Sequence, residues 1–304
     1  MRTSITALLC GIFAFSAVTA LSQTPGGEFQ VKAGGKTITF AEMAAQLEKA
    51  DVVFVGEQHD HKQGHELELV ILQDMQAQKR PVALSLEMFE RDVQPVVDEY
   101  LADFISESQF MSSSRPWPTY KTDYRPLVEF CKANHLSLVA ANPPRRYVNM
   151  VSRKGPDALL KLNKESRVFL PKLPYSIEIP KGYDEALAKV FDAPHAAGAA
   201  QTMPGMPSVQ NLKCSQMLRD TGMADSIANF VRKHRGTRVL QMNGSMHSDF
   251  RFGIVDRLQR QSPNLKVVTI TIKPEAGYPN TLSDAAAPNA ADFVIITPEV
   301  SGPQ

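Results

Sequence analysis

The sequence predicts an α/β fold: a mostly parallel central sheet with flanking helices and a smaller helical insertion. Three observations lead to this class. Apolar runs of strand length are continuous rather than alternating, as expected when both faces of a sheet are covered. Helical patterns lie between these runs, and such alternation indicates βαβ units. The chain has 304 residues, which is enough for one large α/β domain with an insertion.

The strands are predicted from their composition and from turn residues. Residues 28–39 contain two short strand-like runs around Ala33-Gly34-Gly35, which indicates a hairpin. Six further apolar runs predict the core strands: 51–55, 81–86, 136–141, 238–242, 267–272 and 293–297.

Helices are predicted where apolar residues share one helical face, as between Leu67 and Met75, Leu127 and Cys131, and Met223 and Val231. The long connection of about 145–235 is predicted to be a mostly helical insertion. Its Ala-, Gly-, Pro- and Met-rich segment 193–207 is interpreted as a mobile loop. We prefer this to the alternative of a soft metal site formed by Met203, Met206, His195 and Cys214.

The first twenty residues are predicted to be a secretory signal. Arg2 precedes an apolar stretch, and Val18-Thr19-Ala20 supplies small residues at the cleavage position. Cleavage after Ala20 would leave a mature domain of residues 21–304 in the periplasm or outside the cell. An uncleaved anchor is the alternative, although the apolar run is short for a spanning helix. Attachment as a lipoprotein at Cys10 is less favoured, because no small residue precedes that cysteine.

Charge and cysteine content exclude several classes. The formal net charge is +1 and falls to 0 without Arg2, so nothing global favours nucleic acid or an anionic membrane surface. Two cysteines remain after cleavage, Cys131 and Cys214. They permit one disulfide or two free thiols, but no disulfide scaffold.

Polar residues follow several predicted strands. Glu57 and His59 come after the first core strand, Glu87 and Arg91 after the second, and His247 after the fourth. Because the carboxyl ends of parallel strands meet at one edge of a sheet, we expect these side chains to converge. Residues 56–59 and 244–247 both have the pattern Gly-x-x-His, whose glycine permits a tight turn out of the strand.

Two chemistries suit this set. Glu57 beside His59 can form part of a metal site or an oriented general base. In a metal-dependent hydrolase, His59, His247 and Glu57 would hold a divalent metal, while Glu57 or Glu87 acts as the base and Arg91 completes the catalytic set. The third possibility is a partner-binding module whose polar strand ends only satisfy one another.

Other polar and aromatic residues are ambiguous. His61 and His65 are four residues apart and share a helix face, a spacing that can bind metal. Because no third ligand lies nearby in sequence, we prefer the interpretation that this face is solvent-exposed. Trp117, Tyr120 and Tyr124 lie in a polar connection, where they can form a small core or line an apolar ligand site.

Five blocks of sequence, in this order and spacing, resemble the ChaN-like family of haem-binding, iron-regulated bacterial proteins. They are GEQHDHKQGH, SLEMFERDVQPVVDEYL, RPWPTYKTDYRPLVEFCKANHLSLVAANPPRR, QMLRDTGMADSIANFV and LQMNGSMHSDFRFGI, and they cover about residues 40–260. The paired Gly-x-x-His units are also similar to the wider group of Tiki-type metalloproteases and erythromycin esterases.

The resemblance implies an α/β fold and a haem ligand, held as a cofacial pair across a homodimer, with a tyrosine on each iron and a supporting histidine. Tyr124 and Tyr120 are the better candidates for the tyrosine, with Tyr147 third. His59, Arg91 and His247 are the implied further haem contacts. The implied partners are haem, a second copy of the chain and components of iron uptake in the periplasm or outer membrane. No lipoprotein signal matches the family's attachment, and segment 193–207 departs from its pattern.

Overall fold

The structure, a computed structural model, describes residues 26–196, 207–279 and 289–299. The predicted signal, its cleavage site and most of segment 193–207 lie outside these ranges. In the described ranges, no helix is long and apolar enough to cross a membrane.

Eight strands form a single sheet in the order β2-β1-β8-β7-β3-β6-β4-β5. Their bounds are β1 Gln30–Ala33, β2 Lys36–Ile38, β3 Val52–Glu57, β4 Val82–Glu90, β5 Leu138–Asn142, β6 Arg238–Gly244, β7 Val267–Glu275 and β8 Phe293–Pro298. Strands β3 to β8 pair in parallel, while β1 is antiparallel to both β2 and β8. The predicted fold class, the hairpin and all six core strands are therefore confirmed.

Helices fill the connections. They are α1 Phe40–Leu47, α2 Lys62–Ala77, α3 Gln94–Leu101, α4 Glu107–Ser114, α5 Tyr120–Asp123, α6 Arg125–Ala133, α7 Arg145–Lys154, α8 Lys164–Arg167, α9 Lys181–Ala196, α10 Val209–Lys233 and α11 Gly253–Gln261. A short 3-10 turn, Ser245–His247, follows β6. The connection between β5 and β6 contains α7 to α10, which agrees with the predicted helical character of residues 145–235.

Strand β3 shows why both faces of the sheet must be covered. Val53 and Val55 belong to the main core cluster beneath α1 to α6, whereas Val52 and Phe54 pack with α10 and α11 on the opposite face. Alternate side chains of a strand point to opposite faces, so a strand with apolar residues at every position needs cover on both. Each of these fully buried side chains contributes roughly 1.5–3 kcal/mol through its removal from water.

A third core cluster lies in the insertion and joins α7, α9 and α10 through Tyr147, Tyr183 and Met217. The two cysteines lie in different clusters, Cys131 in the main core and Cys214 in the insertion. Both are buried free thiols. Burial raises the pKa of the Cys131 thiol to about 12. Neither thiol has the exposed, acidified character of a reactive cysteine.

Candidate functional site

Strands β3, β4 and β6 are neighbours, and their carboxyl ends bring two Gly-x-x-His units into contact. A Cβ atom added at Gly56 would lie 2.9 Å from the Cα of Ser245, in the turn after β6. A Cβ added at Gly244 would lie 2.9 Å from Nε2 of His59. At Gly56 the close approach is to backbone and excludes any side chain, whereas at Gly244 it is to the end of the His59 ring; the exit of β3 packs directly against the exit of β6.

Glu57 is the centre of the first group of side chains, which we call the Glu57 cluster: Glu57, His59, His65, Glu68 and Tyr124. The Tyr124 hydroxyl donates to Glu57 Oε1 at 2.7 Å, and His59 Nδ1 donates to the same oxygen at 2.5 Å. On the other side, His65 Nδ1 lies 3.4 Å from Glu57 Oε2 and 3.1 Å from Glu68 Oε2. One buried carboxylate therefore links the strand to two helices.

The carboxyl groups of the Glu57 cluster differ in charge. Burial alone would raise the pKa of Glu57, but hydrogen bonds from His59 and His65 outweigh it and hold that pKa well below its usual range. Burial and the neighbouring charge of Glu57 raise the pKa of Glu68 well above its usual range. Burial lowers the pKa of His65, but its bonds to Glu57 and Glu68 prevail and raise it to about 11.

His59 is the partly exposed member of the Glu57 cluster. Its side chain is 46% exposed, and its ring meets the indole of Trp117 edge-on at 4.9 Å between centroids. Trp117 in turn meets Tyr124 edge-on at 6.0 Å. Burial lowers the pKa of His59, but the bond to Glu57 and nearby carboxylate charge produce a net rise. The carboxylate fixes the proton on Nδ1, which leaves Nε2 as the acceptor nitrogen when the ring is neutral.

The second group, the His247 cluster, consists of His247, Glu87, Asp220 and Tyr183. His247 Nδ1 donates to Asp220 Oδ1 at 2.5 Å, and Nε2 lies 3.4 Å from Glu87 Oε1. Glu87 Oε2 accepts from the backbone N–H of Gly244 at 2.9 Å, and the Tyr183 hydroxyl donates to Asp220 at 2.9 Å. Both ring nitrogens therefore face carboxylates.

Opposite charges decide protonation in the His247 cluster. Burial alone lowers the pKa of His247, but Glu87 and Asp220 raise it to about 10. Burial alone raises the pKa of Glu87, but His247 lowers it to about 2. At neutral pH His247 is therefore a buried imidazolium that faces the charged carboxylate of Glu87.

Arg91 and Tyr120 lie apart from these groups. The Arg91 guanidinium donates to Asp225 of α10 at 2.8 Å, since the 3-10 turn that follows β4 directs it toward that helix. Tyr120 is fully buried in the main core, with its ring near Phe89 and Phe110. The structure thus brings Glu57, His59, Glu87 and His247 to one edge, and joins Tyr124 to them through Glu57.

The interpretation of His61 and His65 as solvent-exposed was wrong. Both are buried, at 8% and 6% exposure. His65 bonds within the Glu57 cluster, and His61 Nε2 lies 3.1 Å from the Thr297 hydroxyl of β8. His65 lies in α2, which packs against α5 and α6, and His61 is the N-cap residue of the same helix. The face that looks polar in sequence is therefore covered.

Sequence reasoning missed Glu68, Asp220, Tyr183 and the role of His65. Glu68 follows His65 by three residues and so shares its helix face, which was the available signal. Asp220 lies within the buried stretch of α10. A carboxylate at a buried position of an amphipathic helix indicates a partner, but the sequence does not identify that partner as His247.

Comparisons with known proteins agree with this architecture. The family model described as "Haem-binding uptake, Tiki superfamily, ChaN" matches residues 43–258. A solved structure described as cofacial heme binding to ChaN of Campylobacter jejuni is similar in fold, with a TM-score of 0.64 and 18% sequence identity. The alignment covers 88% of this chain and 96% of that one. An erythromycin esterase in its open conformation is a more distant neighbour, with a TM-score of 0.47, 13% identity and coverage of 91% of this chain and 84% of that chain.

A curated plant protein, RETICULATA-RELATED 5, chloroplastic, of Arabidopsis thaliana, is 23% identical over 244 residues, which are 77% of this chain and 32% of that protein. This chain therefore spans about a third of the length of that relative. The family match extends over well over half of the chain. The chain belongs to the ChaN family of haem-binding uptake proteins in the Tiki superfamily.

Proposed function

We propose that this protein binds haem in the periplasm and serves haem or iron uptake. The observation that carries the proposal is its membership of a family described as haem-binding uptake. Export to the periplasm is supported by the signal-like residues 1–20 and the Val18-Thr19-Ala20 cleavage pattern.

The three candidate tyrosines differ in their fitness to bind a haem iron. Tyr124 is fully buried and its hydroxyl is committed to Glu57, and burial together with the Glu57 charge raises its pKa far above the usual range. Burial likewise raises the pKa of Tyr120, which lies within the aromatic core. A phenolate ligand needs a hydroxyl that can lose its proton and reach the iron. Neither residue meets this requirement, so we reverse the order that the sequence suggested.

Tyr147 is the remaining candidate; it too is buried, at 6% exposure, and its surroundings support the assignment. It lies in the first turn of α7, directly after the carboxyl end of β5. The Arg146 guanidinium lies over its ring at 4.5 Å from the centroid. Half-buried Met150, Phe169 and Met246 pack against the same cluster and supply apolar surface of the kind that covers a macrocycle.

Charge near Tyr147 suits the haem propionates. The side chains of Arg145 and Arg146 are 63% and 48% exposed, although Arg146 is paired with Asp92 and Arg145 lies 4.0 Å from Glu90, so a propionate would have to compete with these carboxylates. Guanidinium groups recognise carboxylates through paired N–H donors. Tyr147 would ligate ferric iron, these arginines would bind the propionates, and the half-exposed His59 is available for a supporting hydrogen bond, including across a homodimer that holds two haems face to face.

Substitution of the tyrosines tests the assignment. Tyr147→Phe keeps the ring and its stacking with Arg146 but removes the oxygen donor, so it should abolish the phenolate charge-transfer band and weaken ferric haem binding. Tyr124→Phe and Tyr120→Phe are matched controls and should retain both. The measurement is a visible-spectrum titration of the purified protein with haem. Loss of the band in Tyr124→Phe with an unchanged Tyr147→Phe would restore the original order, and no haem uptake by the unsubstituted protein would defeat the proposal.

The Glu57–His59 pair favours a second candidate function, a hydrolase that uses His59 as a general base. Glu57 holds Nδ1 of a half-exposed imidazole, which is the arrangement that orients a catalytic histidine. His247 is a weaker candidate for a metal ligand, because both of its nitrogens face carboxylates.

A panel of activated esters tests the hydrolase function: His59→Gln should abolish turnover, while Tyr147→Phe leaves it unchanged. The opposite ranking, or no turnover by the unsubstituted protein, would exclude the hydrolase.

A further inference from the structure

We propose that Glu57, His65 and Glu68 form a buried site for one divalent transition-metal ion, distinct from the proposed haem ligand Tyr147. Of all the His, Cys, Asp and Glu side chains in the described ranges, these three form the group close enough to share a cation. Each offers one ligand atom, and these atoms lie within 4.8 Å of one another.

The orientation of His65 is the first argument. Its Nε2 lies 3.2 Å from the backbone carbonyl oxygen of His59 and 3.9 Å from Asp123 Oδ2. Both neighbours are acceptors, so Nε2 carries a proton. Nδ1 is then directed at Glu57 and Glu68. A metal-ligating histidine typically has this arrangement, with one nitrogen held by a backbone carbonyl and the other turned to the ion.

Two unpaired oxygen atoms are the second argument. Glu57 Oε2 and Glu68 Oε1 are buried and accept no hydrogen bond of normal geometry, since the nearest donor to Glu57 Oε2, His65 Nδ1, lies 3.4 Å away. Leaving a buried polar atom unpaired is unfavourable, and more so when the atom is charged. Glu57 Oε1, by contrast, accepts from both Tyr124 and His59, which orients the carboxylate so that Oε2 faces His65. Both oxygens thus belong to the group whose ligand atoms are close enough to share a cation.

Charge balance agrees with a divalent ion. Two carboxylates and one neutral imidazole carry a charge of −2, which a divalent cation neutralises inside a region that excludes water. Without the ion, the same balance requires protons on His65 and Glu68. The metal would therefore replace protons without adding charge to the interior.

The mixed ligand set restricts the kind of metal. Imidazole with carboxylates suits Zn²⁺, Mn²⁺ or Fe²⁺, whereas Ca²⁺ and Mg²⁺ prefer oxygen ligands alone and Cu⁺ prefers sulfur. We therefore use Zn²⁺ and Mn²⁺ as probes, with Co²⁺ as a coloured reporter of coordination.

The test uses purified, haem-free protein from which metals have been removed with a chelator. Separate samples are titrated with Zn²⁺ and with Mn²⁺, and binding is measured by isothermal titration calorimetry. One equivalent of at least one of these ions should bind. Glu68→Gln keeps the shape of the side chain but removes a ligand, so it should weaken binding by more than the ~10–100-fold that loss of an outer partner typically costs. Glu66→Gln is the matched control, since Glu66 is exposed on the same helix, and should bind like the unsubstituted protein.

A spectrum of the Co²⁺-loaded protein keeps the test decisive if Glu68→Gln fails to fold. Visible bands of four- or five-coordinate Co²⁺, formed at one equivalent and lost on addition of Zn²⁺, would support the site. Absence of stoichiometric binding, or equal affinity in Glu68→Gln and the unsubstituted protein, would overturn it and leave a cluster that holds protons only. Tyr147→Phe should retain the metal, which separates this outcome from failure of the haem proposal.

Discussion

Glu57 and Glu87 are both buried carboxylates at the carboxyl edge of the sheet, yet different partners keep them charged. Glu57 accepts hydrogen bonds from a tyrosine and a histidine at the same oxygen. Glu87 faces the imidazolium of His247 and accepts a backbone N–H from Gly244. A buried ion group of the second kind is costly to break, because removing one member leaves the others without a counter-charge.

His247→Gln should therefore lower the free energy of unfolding by roughly 3–5 kcal/mol near pH 6. The His247 pKa is raised from about 6.5 to about 10, so its contribution is complete below pH 6.5 and is lost as the pH rises through 10. The Glu87 pKa is lowered to about 2, so its contribution is present above its usual pKa of about 4.5 and is lost as the pH falls through 2. Urea unfolding at pH 6, 8 and 10 measures the effect.

The difference in stability between His247→Gln and the unsubstituted protein should shrink as the pH approaches 10. His234→Gln is the control, since His234 is exposed at the end of α10, and its unfolding should follow the unsubstituted protein at each pH. A constant difference from pH 6 to 10 would show that the loss comes from packing and not from the charged pair.

Among the elements, α10 does most to connect the insertion to the sheet. Its N-cap residue is Ser208, whose side chain accepts from the Asn211 N–H, and the helix places Asp220 in the His247 cluster. Near its middle, a Cβ added at Gly222 would lie 2.1 Å from Cγ of Pro143, in the turn after β5. The α10 backbone at Gly222 therefore packs directly against Pro143 and leaves no room for a side chain there.

Gly222→Ala should destabilise the protein by about 1–3 kcal/mol, as overpacking does in a filled interior. In an exposed helix the same change would stabilise, since alanine has the higher helix propensity. Lys233→Ala, at an exposed position of the same helix, should change stability by less than about 0.5 kcal/mol. Thermal unfolding of the two variants decides the matter, and a stabilised Gly222→Ala would show that the Pro143 contact is loose.

Strands and helices could be predicted from the sequence where one force, the burial of apolar side chains, determines the residue pattern. The continuous apolar runs of β3 and β6 give their position, and the glycines mark their ends, so the meeting of Glu57, His59 and His247 could be foreseen. The pattern of α2 could not reveal that His65 is buried, because burial there depends on which helix packs over it. For the same reason the sequence left open whether Tyr120 and Tyr124 line a site or fill a core.

In the molecule as a whole, buried polar groups of different kinds lie at the two ends of the parallel strands, which we call the carboxyl edge and the amino edge of the sheet. The carboxyl edge contains the ionisable Glu57 and His247 clusters. At the opposite edge, Arg238 at the start of β6 is fully buried and donates to the backbone carbonyls of Met75 and Arg80 and to the side chain of Gln78. These bonds fix the connection between α2 and β4, and their acceptors are not titratable.

Arg238→Lys should therefore reduce stability without altering ligand binding. A lysine ammonium lacks the planar fork that reaches several acceptors at once, so at least one carbonyl loses its donor at a cost of about 1–3 kcal/mol. Arg232→Lys, the same change at an exposed site on α10, should have little effect. Denaturant unfolding measures stability, while titrations with haem and Zn²⁺ measure binding. If Arg238→Lys weakened binding as strongly as Tyr147→Phe or Glu68→Gln, the edges would be coupled, because a substitution at one end of β6 would then have displaced the groups at the other.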